Sequence, residues 1–297
     1  MNLMANPRLR LFAGAALISL SPVWVKLVDV SATTSGFYRV FIGSIALGLY
    51  LAVTRKRLQF GTRVWQLLTL AALFFALDLW FWHRSIIFIG PGLATLLANF
   101  QVFILMLAGI FFLGQKPGVP QLIAIPLALM GLAMIVGLDW QALPGDYRAG
   151  VVYGLLTALV YAGYLLTMRF SRQGVEKGMP TREIAIVSAL SAAMLGVTAL
   201  AEGQSLAVPT LTDVAWLTAY GVLSHCLGYI LIVSSLPQVS TTEAGIALLL
   251  QPTLSFAWDV LFFARPLTAI ELTGAIVALG AIYLGSRPGS KQVQGGG

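Results

Sequence analysis

Apolar blocks of about 20 residues recur almost without pause from Arg8 to Arg287. A block of that length is what an α-helix needs to cross a hydrocarbon core of roughly 30 Å, because a lipid-exposed backbone must satisfy its hydrogen bonds within the helix. One such block is compatible with an anchor or a signal peptide. About ten in succession, joined by short polar breaks, make the membrane the working environment of the whole chain. The fold class that follows is an all-α integral membrane protein, and function has to be read from the few polar residues placed inside it. Composition agrees: 58% of the 297 residues are hydrophobic and 10% are charged, against about 25% charged in soluble domains. The single cysteine, Cys226, excludes an intramolecular disulfide. The net charge of +7 fits loops facing an anionic cytoplasmic leaflet better than a nucleic-acid partner.

The spacing predicts helices at 9–28, 33–54, 65–86, 91–114, 119–138, 149–170, 182–201, 213–235, 241–263 and 267–286. Turn chemistry marks Gly90-Pro91-Gly92, Gln115-Lys116-Pro117-Gly118 and Leu143-Pro144-Gly145-Asp146. The first block follows Arg8 and Arg10 as a signal peptide would, but it runs on through Trp24 without a small-residue cleavage site, so it is read as a span. With a cytoplasmic N-terminus, the inside segments hold 13 basic residues, among them Arg55, Lys56, Arg57, Lys177 and Arg287. The outside segments hold 4: Lys26, Arg84, Arg148 and Arg265. The positive-inside rule therefore predicts both termini in the cytoplasm and a multi-pass protein of the cytoplasmic (inner) membrane.

The second half repeats the first. Sliding it back by about 150 residues sets Ala94–Gln101 on Ala244–Gln251, and a slip of one residue sets Gly131 on Gly280. This divides the chain into five-helix units at 1–143 and 144–297. Five is odd, so the two units cross the membrane in opposite senses, a pattern of secondary transporters with a substrate site at mid-membrane between the halves.

The segments Gly245-Ile-Ala-Leu-Leu-Leu-Gln-Pro-Thr-Leu-Ser, Phe263-Ala-Arg-Pro-Leu-Thr, Gly274-Ala-Ile-Val-Ala-Leu-Gly-Ala-Ile-Tyr-Leu-Gly and Phe37-Tyr38-Arg39 resemble the drug/metabolite transporter superfamily, in its EamA-like form. The resemblance covers essentially the whole chain and implies ten helices in two inverted five-helix repeats. The Gln-Lys turn and the aromatic third span look most like YddG-type aromatic amino acid exporters. Where the family often has Glu, this chain has Gln251, and its Gly114-Gln115-Lys116 and Ala264-Arg265 replace the family's Gly-Glu-basic turns. A coupling role resting on those carboxylates has no counterpart here. Tyr38 enters the candidate site with the aromatic-Arg motif.

Ionisable groups inside a span cost on the order of 2.5–3.5 kcal/mol each at the helix centre and tend to face a cavity or a partner. Asp78, deep in the third span, has Phe75 and Trp82 on its face at i−3 and i+4. It is either an acid beside an aromatic wall, fit for an ammonium or a proton, or a structural partner of Arg39 or Arg84, or a carboxyl kept neutral by burial. His225, in the eighth span, shares a face with Tyr229. Asn99, Gln101 and Gln251 lie at mid-depth, either for a zwitterion or as interhelical glue. Of Tyr161 and Tyr164, only Tyr161 is expected on the cavity. His83, Trp24, Trp65 and Trp140 are expected at the interface, and Glu243 and Asp259 near water at the two ends of the ninth span. Pro22, Pro126 and Pro252 interrupt helices. The candidate substrate-binding set is Asp78, Trp82, Asn99, Gln101, Tyr161, His225, Tyr229, Gln251 and Tyr38.

No His-Glu-x-x-His, Gly-x-Ser-x-Gly or P-loop pattern is present, which argues against a metalloprotease, a serine hydrolase or an ATP motor. Two distant histidines and one cysteine make no zinc set. The expectation is a transporter without metal or cofactor, exporting small amphipathic metabolites, amino acids and especially aromatic ones, by alternating access, with protons as a candidate coupling ion. An organic-cation or multidrug exporter is the alternative within the class, and an intramembrane enzyme the alternative outside it.

Overall fold

Among the described residues, ten helices are long and apolar enough to cross a membrane, and they make up most of the chain. The computed structural model describes residues 6–55, 60–114, 117–137, 141, 143–173, 180–235, 238–239 and 241–286, and contains no strand among them. Seven spans are single helices: α3 (Ala32–Val53), α4 (Thr62–Ile89), α7 (Val119–Val136), α8 (Gly145–Ser171), α9 (Thr181–Ala201), α12 (Thr241–Phe263) and α13 (Ala269–Ser286). Three are broken. The first comprises α1 (Pro7–Ser19) and α2 (Ser21–Leu27), and the fourth α5 (Pro91–Ala98) and α6 (Gln101–Leu113). The eighth comprises α10 (Leu211–Ala219), a π-helical stretch Tyr220–Gly228 and α11 (Tyr229–Ser235).

The breaks in the first and fourth spans have local causes. Pro22 cannot donate to the preceding turn, so the first span restarts there. At the break in the fourth span, the Asn99 side-chain amide donates to the Thr95 carbonyl at 2.8 Å, competing with the backbone for it. Gly90 begins that span with φ +86°, and a Cβ there would lie 2.6 Å from Asp259 Oδ2. Only glycine fits this left-handed corner beside an acid.

The spans pack as a set of crossed pairs. α4 lies along α8 and against α9, while the π stretch and α11 lie against α1, and the π stretch also against α3. α3 pairs with α9, α5 with α12 and α7 with α13. Exchanging spans one to five for six to ten reproduces this set of contacts. The α7–α13 pair closes through glycine: a Cβ on Gly131 would sit 2.7 Å from the Ala278 nitrogen and 2.8 Å from the Gly274 carbonyl oxygen. Small residues let the backbones approach, which is what drives helix association where lipid removes the hydrophobic incentive. Gly280, the repeat partner expected for Gly131, has no atom within 4 Å of where a Cβ would stand. The outward surface is apolar, with Phe111, Phe112, Leu261 and Ile276 exposed, as lipid requires.

Helix limits fall within a few residues of those expected, except that α4 runs on to Ile89 and α8 starts at Gly145. His83 lies inside the bundle on α4, which corrects its expected interfacial place. His83 is fully buried. Arg84 pairs with Glu202, the C-cap of α9, at 2.7 Å, and it stacks 3.7 Å from the Trp80 ring centroid. Thr33 and Trp80 also donate to Glu202, at 2.6 and 2.7 Å. Asp259 is likewise not at water but 2% exposed. It accepts from the Gly92 amide at 3.0 Å and pairs with Arg265 at 3.4 Å. Trp24 is no simple belt residue either, since it donates to Ser224 and stacks on Trp216. Trp65 is exposed as expected. Trp140, the Gln115-Lys116 part of its turn, the basic residues Lys56, Arg57, Lys177 and Arg287, and the Glu243 side chain lie outside the described residues. Pro126 faces outward, a tolerated interruption of α7.

Candidate substrate site

A cavity of about 270 Å³ lies at mid-bundle between the two halves, close to the lower edge of the roughly 300–1,000 Å³ range of small-molecule sites. Eight of the nine expected residues line it: Asp78, Trp82, Asn99, Gln101, Tyr161, His225, Tyr229 and Gln251. Tyr38 does not. Its hydroxyl donates to the Leu206 carbonyl at 2.7 Å, tying the start of α3 to the loop after α9. A family motif places that residue in a span but does not say which face it takes.

The spacing argument around Asp78 holds, since Phe75 and Trp82 share its face on the cavity. Phe75 stacks on Tyr164 at 4.9 Å and on His225 at 5.9 Å between ring centroids. Tyr164 therefore joins the wall beside Tyr161, 5.5 Å away, contrary to expectation. Residues three apart on a helix are about 60° apart around its axis, so both reach one cavity. The breaks in the first, fourth and eighth spans also meet here, bringing Ser21, Pro22, Asn99, Gln101 and His225 to the wall. Helix breaks where backbone lines a cavity are characteristic of transporter sites, and π stretches are frequent at functional positions.

Asp78 is 7% exposed and, among the described residues, makes no hydrogen bond or ion pair. Arg84, one of its two candidate partners, is committed to Glu202. Arg39, the other, lines the same cavity without bonding Asp78. The Gln101 Oε1 and Ser21 Oγ atoms are also buried without partners. His225 is more fixed: its Nε2 pairs with the Ser188 hydroxyl at 2.8 Å, and Gly43 leaves room for its ring. Among the described residues, no group of three or more His, Cys, Asp or Glu could hold a metal ion.

The cavity is not symmetric along the bundle. Ile184, Ile232, Ile282 and Ser286 extend it toward the end that carries Pro7 and Ser286. At the other end no residue beyond Arg39 on α3 or Trp82 on α4 lines it. The Arg84–Glu202 pair joins the halves there, and the Asp259–Arg265 pair of the second half reaches the first through the Gly92 amide and the Ile89 carbonyl.

The model of the EamA-like transporter family matches residues 9–137 and 148–287. The chain belongs to this family. This EamA-like transporter is 27% identical over 287 residues to the "uncharacterized inner membrane transporter YhbE" of Escherichia coli strain K12, covering 91% of this chain and 86% of that one. The YhbE proteins of Escherichia coli O157:H7 and Shigella flexneri match to the same extent. A crystal structure of a protein with 17% sequence identity superposes with a TM-score of 0.65, covering 95% of this chain and 97% of that one, and so shares its fold.

Proposed function

We propose that this EamA-like transporter is a secondary exporter of small amphipathic amino acids, aromatic ones included, working by alternating access in the inner membrane with both termini cytoplasmic. The observation that carries the proposal is Asp78, a buried acid without a partner facing an aromatic-walled cavity at mid-bundle. An unpaired buried carboxylate is costly unless a ligand or proton completes it. A substrate ammonium does so, and Phe75, Trp82, Tyr161 and Tyr164 offer flat surfaces for an aromatic side chain. The volume favours one small metabolite over a bulky drug.

Two inverted units, 1–143 and 144–297, account for the two matched segments and for the packing that survives exchange of the halves. The basic-residue bias and the inner-membrane name of the YhbE relatives support the location and the cytoplasmic termini. In that orientation the cavity extends toward the cytoplasm, the side from which an exporter loads. Organic-cation export is the second reading, favoured by the same unpaired acid. An intramembrane enzyme gains nothing from the site.

Uptake of labelled phenylalanine, tryptophan and threonine into proteoliposomes, with and without an imposed pH gradient, tests the proposal. Saturable uptake competed by unlabelled amino acids is expected. Uptake of organic cations with none of the three amino acids overturns the proposal.

A further inference from the structure

Arg39, half-buried, is the other residue with a charged side chain on the cavity wall. It projects from α3, and among the described residues it forms no ion pair. Its guanidinium lies 5.3 Å from the Trp82 ring centroid and 5.1 Å from that of Tyr220, an arrangement that favours a cation between aromatic faces. One nitrogen, Nη1, donates to the Tyr220 hydroxyl at 3.0 Å. That hydroxyl lies 3.2 Å from His83 Nε2, and His83 Nδ1 lies 2.6 Å from the Leu79 carbonyl. A carbonyl can only accept, so Nδ1 carries the proton, Nε2 accepts from Tyr220, and the Tyr220 oxygen is left to accept from Arg39. The chain of donors is consistent in direction from end to end.

This arrangement uses Nη1 and leaves Nε, itself buried, without a partner. Guanidinium edges bind carboxylates through two parallel hydrogen bonds. Asp78 and Arg39 thus place an acid and a guanidinium on one small cavity without bonding each other. Resting on the amino acid reading above, we infer that Arg39 receives the substrate's α-carboxylate while Asp78 receives its α-ammonium, so that the site selects zwitterions and rejects amines and acids that carry only one of the two charges. Tyr220 and His83 act as positioning residues for Arg39.

The test is inhibition of labelled phenylalanine uptake in proteoliposomes of the full chain by phenylalanine, phenethylamine and 3-phenylpropionate, in wild type, Arg39→Lys and Arg39→Gln. In wild type, each single-charge analogue is expected to inhibit at least about tenfold more weakly than phenylalanine, the ordinary cost of an unmatched charged group. Arg39→Gln should raise the half-saturation concentration for phenylalanine by about tenfold or more and narrow its advantage over phenethylamine, with Arg39→Lys in between. The wild-type comparison needs no variant to fold. Phenethylamine competing as well as phenylalanine, or Arg39→Gln saturating like wild type, overturns the inference and leaves amino acid transport standing. Absence of phenylalanine uptake by folded wild type overturns both.

Discussion

Tyr220 is fully buried, yet its hydroxyl is committed on both sides, to Arg39 and to His83. Tyr220→Phe keeps the ring under the guanidinium and removes only the oxygen. The expected result is a several-fold rise in the half-saturation concentration for phenylalanine with little change in maximal rate, measured by uptake kinetics. Asp78→Asn removes a charge that nothing else supplies. A charge-assisted hydrogen bond contributes about 1.5–3 kcal/mol, so saturable uptake should fall by roughly 10- to 100-fold; wild-type kinetics and pH dependence in this variant would contradict a role for Asp78. At this scale much of the site was legible in the sequence, because a polar residue within an apolar run is itself the signal. Asp78, Asn99, Gln101 and Gln251 stand out in this way. Arg39 stood out too, but the sequence offered it as a structural partner for Asp78. Its freedom depends on Tyr220 and His83, far away in the chain. His83 looked interfacial because it stands near the end of the third span, while its burial depends on packing with residues such as Tyr220 from the eighth.

Elements meet in two ways here, through glycine and through ion pairs. Gly131 sits against the α13 backbone and Gly280 faces open space, so the two make a matched test. Gly131→Leu should destabilise by about 1–3 kcal/mol, as overpacking does, and Gly280→Leu should leave thermal unfolding in detergent close to wild type. The Glu202 carboxyl is held below its ordinary value. Partial burial pushes it up, but the hydrogen bonds from Thr33 and Trp80 and the charge and hydrogen bond of Arg84 outweigh that. A depressed carboxyl stabilises the folded form at pH values above its ordinary 4.5, and that contribution is lost as pH falls through the lowered value. Unfolding of wild type should therefore steepen with acid below about pH 4.5, while Glu202→Gln is already weakened at neutral pH and responds less. The spans themselves were readable from length and hydropathy, and Pro22 was visible as an interruption, whereas Pro252 lies inside the continuous α12. The π stretch was not, because Tyr220–Gly228 holds no proline, and glycines such as Gly221 and Gly228 also occur in the continuous spans.

For the whole molecule, the cavity reaches one end of the bundle and ion pairs close the other. In a Cys226→Ser background, Ile282→Cys should react with a membrane-impermeant thiol reagent from the cytoplasmic side and be spared from the outside; the reverse pattern would invert the proposed orientation. The overall architecture was the part best foreseen, since lipid leaves so few folds open. The cavity's direction was hidden, because it depends on contacts between the halves. Those halves are near copies in their packing, but α4 is continuous where its counterpart, the eighth span, carries nine π-helical residues. A machine with a true two-fold would rest equally in its two open states, each being the other turned over. The first, fourth and eighth spans are broken where their counterparts α8, α12 and α4 are continuous, so under the proposed alternating access the two open states are not equivalent and one is favoured before any cargo binds. Such a bias sets where the molecule waits, while gradients alone decide which way cargo finally flows.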